Sequence, residues 1–135
     1  MQSLPQVARF LLLGGFAAAV NWLVRFPLSA VMSFEAAVLV AYAIGMSVGF
    51  TLYRTYVFPG SDRKLVEQTI TFLAVNVAGA VVVMATAAAL LALMQAPDWP
   101  DYIKEGLAHG FAIGVGAVVN FLGHKLLTFR SKTER

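Results

Sequence analysis

The sequence predicts an all-α integral membrane protein: four transmembrane helices built from two helical-hairpin repeats of parallel topology, with both termini cytoplasmic. Three observations carry this prediction. Four apolar runs are long enough to cross a bilayer, one closing stretch occurs twice, and basic residues are distributed unequally between the loops.

Hydrophobic residues make up 59% of the 135 positions and charged residues 13%, against about 25% charged in soluble domains. The mean hydropathy is +0.76. A surface of that kind suits lipid, and the length allows a single domain over 1–135. A hydrocarbon core about 30 Å thick needs about 20 helical residues. The runs at roughly 7–33, 36–57, 69–94 and 103–127 meet that need.

The stretch SVGFTLYRTYVF at 47–58 returns as VVNFLGHKLLTF at 118–129. Phe50, Arg54 and Phe58 answer to Phe121, Lys125 and Phe129 at a constant offset of 71. The first and third runs match at an offset of 62, pairing Phe10 with Phe72, Gly14 with Asn76 and Ala18 with Ala80. One hairpin written twice, over about 8–58 and 69–129, explains both offsets once the loop QAPDWPDYIKE is counted as the longer outer turn. Trp99 and Tyr102 suit that loop to a membrane interface.

The first run follows Pro5 and is too long for a signal-peptide core of about 7 to 15 residues, so it reads as a retained span. Its polar interruptions Asn21 and Arg25 lie four apart on one face, and Pro27 predicts a kink near Arg25. The second run carries a ridge of small residues, Ala41, Gly45 and Gly49, that admits another helix closely. Pro59-Gly60 stops it, and Arg63-Lys64 anchors a cytoplasmic connector. The fourth run repeats the ridge as Ala112, Gly116 and Asn120, with a second ridge of Gly106, Gly110 and Gly114.

The formal charge is +3 and the pI near 9.5, yet the basic residues sit at span ends rather than on a soluble face, so no nucleic-acid partner is expected. Arg9, Arg54, Arg63, Lys64, Lys125, Arg130, Lys132 and Arg135 fall on one side, while Glu35, Asp98, Asp101 and Glu105 fall on the other with Lys104. The positive-inside bias places both termini in the cytoplasm.

Catalysis is not expected. Cysteine is absent, and His109 and His124 stand on one helix, fifteen residues or about 22 Å apart. No phosphate-cradling loop or activated nucleophile is visible, and neither a metal nor a cofactor is expected.

The residues of interest are polar groups inside apolar runs. Arg25 stands roughly 24 Å beyond Arg9 along the helix, in the outer third of the bilayer. It can snorkel to headgroups, bind a phosphate from inside the bundle beside Asn21, or pair with Glu35 or Glu105. Arg54 and Lys125, each preceded by an aromatic in Tyr53 and His124, either anchor helix ends or, with Arg9, receive a phosphate. Phe58 and Phe129 read as interfacial aromatics. Asn76 and Asn120 need partners across helices or a ligand, and His109 follows Glu105 at hydrogen-bonding spacing.

The start ARFLLLGG and the two closing stretches, of the type Asn-Phe-x-x-x-Arg/Lys-x-x-x-Phe, strongly resemble the GtrA-like family of small four-span bacterial membrane proteins, over about 8–129. Gly49 stands where the family's first copy carries Asn, and His124 precedes Lys125 in place of an Asn-Arg pair. The resemblance implies a partner of a polyisoprenyl-phosphate glycosyltransferase that flips an undecaprenyl-type phosphate sugar across the bacterial inner membrane for surface polysaccharide synthesis. The alternative it leaves is a non-transporting anchor of that enzyme. Four short helices barely enclose a path, so a homodimer packed through a small-residue ridge is expected.

Overall fold

The computed structural model describes residues 3–95 and 98–131. Lys132 and Arg135, and Ala96 and Pro97 of the outer loop, lie outside the described residues. The described chain is helical: α1 (Gln6–Ser29), α2 (Phe34–Leu52), α3 (Leu65–Leu93) and α4 (Asp101–Gly123). Both α2 and α4 widen at their ends into π-turns, Tyr53–Val57 and His124–Thr128. All four helices are long and apolar enough to cross a membrane.

Contacts divide the chain into two compact units, Met1–Asp62 and Arg63–Arg135, each a helical hairpin. In the first, α1 starts behind Pro5, whose missing N–H costs nothing at a helix start. It continues through Pro27 to Ser29. Ser33 caps α2, its Oγ accepting from the Ala36 N–H at 3.3 Å. After the π-turn, Gly60 adopts a positive φ of 89° and ends the hairpin.

The helices of each hairpin meet through small residues. Ala37, Ala41, Gly45 and Gly49 are the buried residues of α2, and a Cβ at Gly45 would stand 2.6 Å from Asn21 Cβ. In the second hairpin Ala108, Ala112 and Gly116 do the same, Gly116 facing Val83. The predicted ridges are therefore consumed inside the hairpins. The stripe Gly106, Gly110 and Gly114 has nothing within 4 Å of a Cβ at any position.

Outward from these seams the surface is apolar: Leu12, Phe16, Leu39, Ile70, Val77 and Met84 are exposed. The large buried side chains collect instead at one end of each hairpin, around the π-turns. Phe58 and Phe129, expected as interfacial aromatics, are only 5% and 3% exposed and complete these end clusters. They turn inward because the π-turn ends the helix just before them.

Candidate functional site

Each π-turn closes on an aromatic pair. Tyr53 stacks on Phe10 with ring centroids 4.7 Å apart, and Phe58 meets it edge-on at 6.4 Å. In the second hairpin His124 stacks on Phe72, also at 4.7 Å, and Phe129 lies 6.1 Å from the imidazole. The i to i+5 bonds that define the turns run from the Phe58 N–H to the Tyr53 carbonyl at 2.8 Å and from the Phe129 N–H to the His124 carbonyl at 2.9 Å. Tyr53 and His124, expected on a polar seam, are core residues of their own hairpins.

Size differences compensate locally. The Tyr53 hydroxyl lies over Gly14, where a Cβ would collide with it. The imidazole of His124 has no such extension, and the position matched to Gly14 holds Asn76. The His124 Nδ1 instead pairs with the Thr128 Oγ1 at 3.1 Å inside the core. Val57 fills the position matched to Thr128, and both are fully buried.

The basic residues ride on this platform. Arg54 is exposed on the first π-turn, and Lys125 is half-buried on the second, its Nζ 5.9 Å from the Phe121 ring centroid. Arg9 joins the first turn: its Nη1 donates to the Tyr56 carbonyl, two residues from Arg54. Gln6 and Gln68, matched at the offset of 62, also serve these ends. Gln6 Nε2 donates to the Val57 carbonyl at 2.9 Å and the fully buried Gln68 Nε2 to the Arg63 carbonyl at 3.0 Å. Sequence reasoning passed over both glutamines, although their repeat spacing was the signal that could have found them.

At the other end of the first hairpin, Arg25 is half-buried against two rings. Its guanidinium carbon lies 4.3 Å from the Phe26 centroid and 5.4 Å from that of Phe34, and Trp22 meets Phe26 edge-on at 5.1 Å. The pair with Glu35 does not form: the guanidinium lies by the Phe26 and Phe34 rings, while Glu35 is exposed at the start of α2. Asn21 is half-buried with its Cβ packed under Gly45, one turn from Arg25. A stacked guanidinium keeps its N–H edge available, and that edge matches a phosphate.

The remaining expected polar residues act locally. Asn76 Nδ2 donates to the Phe72 carbonyl of its own helix at 2.8 Å rather than across helices. The Asn120 amide faces Gly79 of α3. His109 and Glu105 are both exposed and make no hydrogen bond to each other among the described residues. Among those residues no group of three or more His, Asp or Glu side chains gathers to hold a metal.

The geometry thus offers basic groups at helix ends and an apolar exterior. Neither a curated protein nor a solved structure matches the chain. The sequence pattern of the GtrA/DPMS transmembrane domain, however, matches residues 9–129, from the arginine that meets the first π-turn to the phenylalanine that closes the second. The chain is a multi-pass membrane protein and belongs to the GtrA/DPMS transmembrane-domain family.

Proposed function

We propose that this protein flips a polyisoprenyl-phosphate-linked monosaccharide across a bacterial inner membrane, carrying it from a glycosyltransferase on the cytoplasmic side to surface polysaccharide synthesis outside. The single observation that carries the reading is a basic residue on each π-turn, Arg54 and Lys125, next in the chain to a ring that stacks on the partner helix. Family membership supports the substrate class, since the family handles polyisoprenyl-phosphate sugars.

In this reading the two hairpins are parallel repeats with both termini inside, and Arg54 and Lys125 receive the phosphate at the inner leaflet. Arg9 stands behind the first of them at the Tyr56 carbonyl. Arg25, with Asn21, meets the phosphate at the outer leaflet, its fork held against Phe26 and Phe34. The isoprenoid stays in lipid along the apolar exterior. The protein supplies a path and no bond chemistry, so movement is downhill, exchanging or coupled to another gradient. Two copies pair through Gly106, Gly110 and Gly114, the ridge whose glycines leave open space for a neighbour.

The test is reconstitution into liposomes with a short-chain polyisoprenyl-phosphate sugar, scoring protection from a reagent confined to the outside. Time-dependent redistribution above empty liposomes is expected. Redistribution no faster than in empty liposomes overturns transport and leaves the non-transporting glycosyltransferase anchor.

A further inference from the structure

A helix that ends in a π-turn leaves its last carbonyls without backbone N–H partners. Near a hydrocarbon surrounding, such a carbonyl must find a donor within the protein. In the first hairpin the donors come from the opening of α1: Gln6 reaches the Val57 carbonyl and Arg9 the Tyr56 carbonyl. In the second hairpin the donor to the Leu127 carbonyl is Arg63, which precedes α3.

Tyr56 and Leu127 are matched at the offset of 71, but Arg9 and Arg63 are not matched at 62, because Thr71 occupies the position answering to Arg9. Two guanidiniums from unrelated places in the sequence therefore arrive at the same carbonyl of the same turn. Arg63 is itself held, its carbonyl accepting from the buried Gln68 and its Nε lying 3.5 Å from Glu67 Oε2. A planar fork with five N–H donors can fix a carbonyl without a wide swing of the side chain.

Each capped carbonyl lies two residues beyond the basic residue of its turn, Arg54 or Lys125. Fixing the carbonyl fixes the turn that aims that side chain. We infer that Arg9 and Arg63 are positioning residues, each locking the π-turn of its own hairpin, so that Arg54 on the first turn and Lys125 on the second each present a set geometry to a phosphate-bearing lipid headgroup. This rests on the phosphate-receiving role proposed above for Arg54 and Lys125, and it moves Arg9 from ligand to support. Arg63, legible in the sequence only as a topological anchor, gains the same task.

The experiment uses the full chain in nanodiscs with farnesyl phosphate as the probe. Arg9 and, separately, Arg63 are replaced by Met and by citrulline, a neutral near-isostere that loses the charge and turns one terminal nitrogen into an acceptor oxygen but keeps a terminal NH2 to donate to the carbonyl. Amide hydrogen exchange is followed over residues 53–58 and 124–129, and farnesyl phosphate affinity is measured on the same samples. Arg9→Met should speed exchange in the first turn alone by about tenfold, and Arg63→Met in the second alone, each weakening binding. The citrulline forms should keep slow exchange and near-original affinity, while Arg54→Gln and Lys125→Gln weaken binding with exchange unchanged.

Unchanged exchange in both Met variants overturns the inference. So does a citrulline form that keeps slow exchange yet binds as poorly as the Met variant, because the charge itself would then be the ligand. Failure of the unaltered protein to bind farnesyl phosphate overturns it as well. Binding without transport in liposomes removes only the proposed flipping.

Discussion

Asn120 lies against Gly79 so closely that a Cβ at residue 79 would stand 2.7 Å from the amide carbon of Asn120. Its Oδ1 is buried and has no hydrogen-bond partner among the described residues, and the Cα–H of a glycine is the kind of weak donor that tolerates such an oxygen. Gly79→Ala should therefore destabilise the second hairpin by about 1 to 3 kcal/mol, the usual cost of overpacking a tight contact. Gly15→Ala, with nothing within 4 Å of the new methyl, should cost nothing. Unfolding of the two variants in the same detergent checks the contrast.

The matched pair in the first hairpin exchanges the sizes. Ala17 and Gly49 occupy the positions of Gly79 and Asn120, and a Cβ at Gly49 would meet Ala17 Cβ at 3.4 Å. Restoring the amide by Gly49→Asn should destabilise the first hairpin by about 1 to 3 kcal/mol. Adding Ala17→Gly should recover much of that loss. A double-mutant cycle with a coupling near zero would show that the two positions do not share one space.

The buried His124 and Thr128 form a second coupled pair, 3.1 Å apart. Thr128→Val leaves an imidazole nitrogen without its partner and should cost about 1 to 3 kcal/mol. His124→Phe with Thr128→Val keeps a ring against Phe72, removes both polar atoms and should be clearly more stable than Thr128→Val alone. Equal stability of the single and double variants, read by thermal unfolding, would contradict the pairing.

Arg25 is held by rings, so its removal should be mild for folding. Arg25→Leu loses two cation–aromatic contacts, each about 0.5 to 2 kcal/mol, and removes a charge from a span. Little net change in stability is expected, with a drop in transport of about tenfold if the fork receives phosphate. Arg25→Lys should fall between, because an ammonium keeps the charge and loses the planar stack. Flux in liposomes beside a melting curve separates the two effects.

Much of the fold is legible in the sequence, and the reason is periodicity. Apolar runs long enough for a bilayer leave helices as the only economical way to satisfy their backbone, and the spans begin and end within a few residues of the expected places. The small ridges at 41, 45, 49 and at 112, 116 announced that some helix would approach there, because only a helix lacking side-chain bulk permits contact at that range, while the folded hairpins decided that the partners are α1 and α3. The sequence also singled out Arg54, Lys125 and Arg25 as charges needing an explanation.

What the linear chain could not reveal is where each polar atom finds its partner. Tyr53 and His124 look alike on paper to seam residues, yet the stacks on Phe10 and Phe72 bury them. Arg9 and Arg63 read as a ligand and an anchor until the π-turns present their orphan carbonyls to them. Hydropathy fixes which segments are helices because every backbone bond is local. The extra residue in each terminal turn, and the distant side chain that caps it, depend on packing between segments 47 and 64 residues apart, and only the folded hairpins decide that.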